Sequence, residues 1–72
     1  MKIMVQDRNM IVDNTNADIY LDTDGEYHYV KLAKGKQEFG LGKYPEYDKA
    51  FAELSTIFSY IRIKKDTYYM SR

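Results

Sequence analysis

The chain has 72 residues, is 44% hydrophobic and 31% charged, and balances 11 basic against 11 acidic side chains. That composition excludes a disordered segment and fits one small α+β domain over residues 1–72, near the size at which a single core is only just sufficient. With no cysteine and zero net charge, disulfide staples and thiolate metal sites are excluded, and non-specific binding to phosphate backbones is disfavoured.

Small secreted domains usually need such staples, so the expected location is cytoplasmic. The start, Met1-Lys2-Ile3-Met4-Val5-Gln6-Asp7, lacks the apolar run of a signal peptide, and no stretch approaches the ~20 apolar residues of a membrane span. Eight Tyr and three Phe fill the core economically, because aromatics bury much area per residue. Charge is unevenly spread: Asp13 to Glu26 holds five acids and no base, whereas Lys31 to Lys43 holds four lysines and one acid.

In chain order, Ile3-Met4-Val5 and Met10-Ile11-Val12 flank Gln6-Asp7-Arg8-Asn9. Asp and Asn favour turns, so a first hairpin is expected, with strands near 2–6 and 9–13. Ile19 and Leu21 then alternate with Asp18, Tyr20 and Asp22. Beyond Asp24-Gly25, residues Tyr27, Tyr29 and Lys31 alternate with His28, Val30 and Leu32. Asp-Gly as a two-residue type I′ loop would set Leu21 against His28, Tyr20 against Tyr29 and Asp18 against Lys31. Lys34-Gly35, closed the same way, would set Val30 against Phe39, Tyr29 against Gly40 and Tyr27 against Gly42.

The meander so built has two faces. Ile19, Leu21, His28, Val30, Leu32, Phe39 and Leu41 form the apolar one. Tyr20, Tyr27, Tyr29, Lys31 and Glu38 surround a Gly40/Gly42 strip on the other. From Pro45 to Ile63 the apolar residues recur with a helical period, with Pro45 suited to the first turn. The stripe Phe51, Leu54, Ile57, Phe58 and Ile61 is expected to cover the apolar face, and Thr67 to Met70 to form a last short strand. The expected architecture is therefore α+β: an antiparallel meander sheet of about five strands, one amphipathic helix packed on one face, and a short C-terminal strand.

No motif in the chain carries catalysis. Asp22-Thr23-Asp24-Gly25-Glu26 suggests a calcium loop, but alignment on its glycine puts Tyr20 and Lys31 at the terminal ligand positions, so a hairpin turn is the better reading. His28 is the only histidine; without a second His or a Cys it reads as a half-buried sheet residue, not a metal ligand or general base. The acids sit at turn tips and strand ends, where solvation is the ordinary state. Gly40-Leu41-Gly42 lies within a strand and lacks the strand–loop–helix frame of a phosphate site. No catalytic residue, cofactor or metal is expected.

Two surfaces could bind a partner. Tyr20, Tyr27, Tyr29, Lys31, Gly40 and Gly42 compose a face that reads as a second small core, as a protein interface, where Tyr is enriched, or as a platform for stacking single-stranded bases. Asp18, Asp22, Asp24 and Glu26 read as a solvated edge or, more sharply, as a nucleic-acid mimic offered to a basic enzyme.

The Gln6-Asp7 turn followed by Ile11-Val12, the tyrosine-bearing meander, Leu41-Gly42-Lys43-Tyr44 before an Ala50, Leu54, Ile57 helix, and the closing Tyr68-Tyr69-Met70 together carry a likeness. Over most of its length the chain resembles small uncharacterised proteins of low-GC Gram-positive bacteria and their prophages and mobile elements. It departs in having Pro45-Glu46 where an acidic or hydroxyl helix cap would stand. The resemblance implies a non-enzymatic accessory protein, phage-encoded, and assigns no site. The expected function is protein–protein binding, to a host protein or to itself as a homo-oligomer, with the nucleic-acid mimic as the alternative and weak single-strand binding by the Tyr face as a further one. Nucleic-acid and membrane partners are disfavoured.

Overall fold

The computed structural model describes residues 1–72. Its elements in chain order are β1 (Lys2–Met4), β2 (Ile11–Asp13), β3 (Asp18–Asp24), β4 (Tyr27–Lys34), β5 (Gln37–Tyr44), α1 (Tyr47–Arg62) and β6 (Thr67–Tyr69). The α+β class holds, but the strands form two three-stranded sheets, ordered β2-β1-β6 and β3-β4-β5. A single five-strand meander does not form. The first hairpin pairs instead with the C-terminal strand: β1 runs antiparallel to β2 and parallel to β6, with Ile3 opposite both Val12 and Tyr68. Triplet strands hold too few ladder bonds to stand as a lone hairpin, and β6 supplies the third strand.

Both meander turns have the expected two-residue length but close one residue later than expected. The loops are Gly25-Glu26 and Gly35-Lys36, closed by Asp24 opposite Tyr27 and Lys34 opposite Gln37. Each glycine occupies the first central position with φ near +60°, and the second position is ordinary. This is the type II′ arrangement, which places Gly first and demands nothing of the residue after it. The registers therefore shift by two from those expected: Tyr20 faces Lys31, Leu21 faces Val30, and Leu32 faces Phe39. A shift of two preserves the alternation of faces. Ile19, Leu21, Val30, Leu32 and Phe39 remain on the inner face.

A bulge in β5 then changes that alternation. The register slips between Val30 and Lys31, so Gly40 pairs with Lys31 while Gly42 pairs with Val30. Leu41 is the extra residue, and its side chain is almost wholly buried. Gly42, expected on the outer face, is an inner-face residue. A Cβ there would lie 2.7 Å from the Tyr44 ring, whereas one at Gly40 would meet nothing within 4 Å.

The helix begins later than Pro45. Glu46 is the N-cap in extended conformation, without a side-chain capping bond. Pro45 is the break between β5 and α1, a ring that can neither donate to a ladder nor let Tyr44 turn helical. At the other end Lys64 takes φ +59°; its amide donates to Ile61 O at 3.1 Å and the Lys65 amide to Tyr60 O at 3.0 Å. That is a Schellman stop with lysine where glycine is usual.

The core joins Ile3, Val5 and Val12 of the N-terminal hairpin region, Val30, Leu32, Leu41 and Tyr44 of the meander, Ala50 and Ile57 of α1, and Tyr68 and Met70. Burial of each large side chain contributes ~1.5–3 kcal/mol. On α1 the buried residues are Ala50, Glu53 and Ile57, with Tyr60 edge-on to Tyr68 at 4.8 Å between centroids. Of the expected stripe only Ile57 is fully buried, and Leu54 is half-buried. Phe51 is 51% exposed, Phe58 61% and Ile61 39%. The short Ala50 side chain lets the helix sit closer to the sheet along the line of Glu53 and Ile57, which turns Phe51 and Phe58 outward.

Candidate functional site

Alternation along β3 and β4 places Tyr20, Tyr27, Tyr29 and Lys31 together on the outer face, as their spacing implies. They split into two neighbouring groups. In the first, Lys31 Nζ donates to Asp22 Oδ2 at 2.8 Å and lies 3.7 Å from Glu38 Oε1. The Tyr20 hydroxyl donates to Glu38. The hydrogen bond and charge of Lys31 hold the Asp22 carboxyl below its ordinary pKa, and the same bond raises Lys31. The Tyr20 hydroxyl is raised, first because it donates to the Glu38 carboxylate. These groups satisfy one another, so the cluster is a closed polar network.

The second group opens onto a groove of about 490 Å³. Its floor is Gly40, Leu41 and Gly42; one wall is Tyr27, Tyr29 and Lys43, and the other is Gln6, Asp7, Asn9 and Met10 of the β1–β2 connection. Lys43 Nζ stands 4.1 Å from the Tyr27 ring centroid, within cation–π reach. Lys31 Nζ lies 5.5 Å from that of Tyr29.

Gln6 fixes the two walls relative to each other. Its amide donates to Leu41 O at 2.8 Å, its Oε1 accepts from the Lys43 amide at 2.8 Å, and its Nε2 donates to Ser71 O at 3.3 Å. The connection itself turns on Arg8, at φ +63°, whose amide donates to Val5 O at 3.0 Å.

Four of the six residues assigned to the Tyr/Gly face, namely Tyr27, Tyr29, Gly40 and Gly42, thus line one groove. Tyr20 and Lys31 stand beside it in the closed network. Gln6, Asp7, Asn9, Met10 and Lys43 escaped the sequence reading. The signal for Gln6 was slight: an amide side chain following an apolar triplet, able to bond a neighbouring strand edge. Lys43 was hidden by the bulge, which rotates it outward.

The acidic set is dispersed. Asp18, Asp22 and Asp24 lie on the outer face of the edge strand β3, and Glu26 sits in the turn beyond it. Asp22 is committed to Lys31. Charges on an edge strand also guard it against pairing with other chains. His28 is half-buried beside Thr23, whose Oγ1 is 3.0 Å from its Nδ1, and edge-on to Tyr47 at 5.6 Å. It faces Thr23 and Tyr44, not Leu21 and Leu41. No group of three or more His, Cys, Asp or Glu side chains converges in a way that could hold a metal ion. No helix is long and apolar enough to cross a membrane.

No protein-family model matches the chain, and neither a curated protein nor a solved structure matches it.

Proposed function

We propose that this chain is a non-enzymatic accessory module that binds a partner protein by seating an extended segment in the groove between the β1–β2 connection and Tyr27, Tyr29 and Lys43. The observation that carries the reading is the floor. Gly40 presents backbone with open space above it, so a partner's main chain can approach closely while the two tyrosines supply apolar walls with polar tips. Lys43 and Asp7 at the rims offer one charge of each sign. A groove of this volume suits a few side chains of a peptide, in the size range of ordinary ligand sites. The module reading includes a cytoplasmic setting, which the lack of cysteine suits, and an origin among low-GC Gram-positive bacteria or their phages, which rests on the sequence resemblance.

The nucleic-acid readings have less support. The Tyr27 ring already carries Lys43 against it, and the acidic set has given up Asp22 to Lys31.

Selection of peptides from a displayed random library on the native chain, followed by amide chemical-shift mapping, tests the groove. Enriched peptides should shift Tyr27, Tyr29, Gly40 and Lys43, and should lose at least ~10-fold in affinity for Gly40→Leu, whose Cβ meets no atom within 4 Å and whose side chain occupies the floor. Peptides that bind Gly40→Leu as well as the native chain would overturn the assignment.

A further inference from the structure

The outward stripe of α1 has a pattern of its own. Tyr47, Phe51, Leu54, Phe58 and Ile61 follow each other at intervals of four, three, four and three residues, the alternation of a seam between two packed helices. It is distinct from the line Ala50, Glu53, Ile57 that meets the sheets. Tyr47, Phe51, Phe58 and Ile61 are each between 39% and 61% exposed, and Leu54 is half-buried. At ~150–250 Å² per aromatic side chain, the stripe leaves on the order of 400 Å² of apolar surface open on one copy. Doubled, and with a polar rim added, this reaches the ~1,000 Å² that a stable interface needs.

Charge decides what covers it. Along the flank of the stripe away from the sheets stand Asp48, Ser55 and Arg62, seven residues apart. Neither Asp48 nor Arg62 takes part in any ion pair within the chain. They lie at opposite ends of α1, 62 − 48 = 14 residues apart, or about 21 Å at 1.5 Å per residue, so one copy cannot pair them. Two copies related by a two-fold axis passing between Leu54 and Ser55, with helices antiparallel, bring Tyr47 beside Ile61 of the other copy and Phe51 beside Phe58. The same superposition brings Asp48 against Arg62, twice. A parallel two-fold arrangement would instead leave the Asp48 and Arg62 flanks of the two copies on opposite sides of the seam, with neither charge paired.

We infer that the chain forms a two-fold homodimer through the Tyr47, Phe51, Leu54, Phe58 and Ile61 stripe of α1, its helices antiparallel and its ends joined by reciprocal Asp48–Arg62 pairs. A self-complementary patch is what a two-fold interface requires. The interface lies on the helix, away from the outer face of the meander, so each dimer would present two grooves.

Sedimentation equilibrium over a concentration series is the test, with far-ultraviolet circular dichroism to check that each variant is folded. The native chain should sediment at twice its 8.5 kDa. Phe58→Glu, at a position already turned to solvent, should sediment at the single mass with its helix signal intact. Asp48→Arg should weaken the dimer at least ~10-fold, and the exchange Asp48→Arg with Arg62→Asp should restore it to within ~3-fold of native. A native chain still monomeric at ~1 mM overturns the inference. So does a dimer indifferent to Phe58→Glu, or a double exchange no better than the single one. The charge exchange keeps the question decidable if Phe58→Glu does not fold.

Discussion

The Tyr68 hydroxyl donates to Glu53 Oε1 at 2.8 Å, and the same oxygen accepts from the Ser71 amide at 3.0 Å. Glu53 is the one charged side chain in the core, 8% exposed, and it ties α1 to the strand that closes the small sheet. Nearby, the Tyr44 hydroxyl donates to Ser71 O at 2.8 Å. Glu53→Ala strips an acceptor from two donors and should lower unfolding free energy by roughly 2–4 kcal/mol; Tyr68→Phe should lower it by about 1–3 kcal/mol. In urea denaturation the double variant should fall short of the sum, with a coupling of about 0.5–3 kcal/mol. Strict additivity would mean that the bond contributes nothing of its own.

The same corner sets the alkaline limit of the fold. Burial, reinforced by the Glu53 charge, raises the Tyr44 and Tyr68 hydroxyls well above the ordinary tyrosine pKa of 10.0. A raised phenol favours the neutral form in the folded state. Its contribution to stability is complete below about pH 10 and declines as pH rises from there toward the folded-state value. Spectrophotometric titration should show Tyr44 and Tyr68 ionising only together with loss of the helix signal. Tyr68→Phe should move that unfolding limb to higher pH relative to its own neutral stability.

The two strand glycines make opposite predictions. Gly42→Ala drives a Cβ to 2.7 Å from the Tyr44 ring, and the ring is held by its hydroxyl on Ser71, so a loss of about 1–3 kcal/mol is expected. Gly40→Ala meets open space and should gain about 0.5–1 kcal/mol, since alanine surrenders less backbone entropy than glycine in a strand. Thermal denaturation of the pair tests the bulge at Leu41: equal effects would count against it.

Lys64 occupies the left-handed position that ends α1, at φ +59°. A side chain there costs roughly 1–2 kcal/mol relative to a residue without Cβ. Lys64→Gly should therefore raise stability, by about 0.5–1 kcal/mol after glycine's greater unfolded-state entropy is set against it. Chemical denaturation measures this directly, and a loss of stability would mean that the lysine makes a contact that outweighs the strain.

What was legible in the chain were the periods. Alternation along β3 and β4 sorted Tyr20, Tyr27 and Tyr29 from Ile19, Leu21 and Val30 correctly even though both registers were off by two, because a slip of two leaves each side chain on its own face. The bulge at Leu41 has no such redundancy: one extra residue sends Gly42 inward and Lys43 outward, and nothing in Gly40-Leu41-Gly42-Lys43 says which residue is the extra one. The partnership of β1 with β6 was likewise out of reach, since triplet strands carry too few alternating positions to prefer a neighbour. On α1 two apolar lines lie side by side. The bulkier line shares only Ile57 with the buried one, in which Ala50 and Glu53 also meet the sheets. A glutamate in that line is buried because Tyr68 and Ser71 supply its partners, which no local pattern around Glu53 announces.

The parallel pairing of β1 with β6 also has a timetable. Lys2 pairs with Thr67, a separation of 67 − 2 = 65 residues. At synthesis rates of about 5–20 residues per second, β1 emerges roughly 3–13 s before the strand that completes its sheet. During that interval the β1–β2 hairpin has an open edge and an apolar Ile3 side chain, and the Glu53 carboxylate, once made, has yet to meet Tyr68. The nascent chain therefore holds an unfinished sheet for longer than a small domain takes to collapse, and the β2-β1-β6 sheet is completed only once β6 has been made.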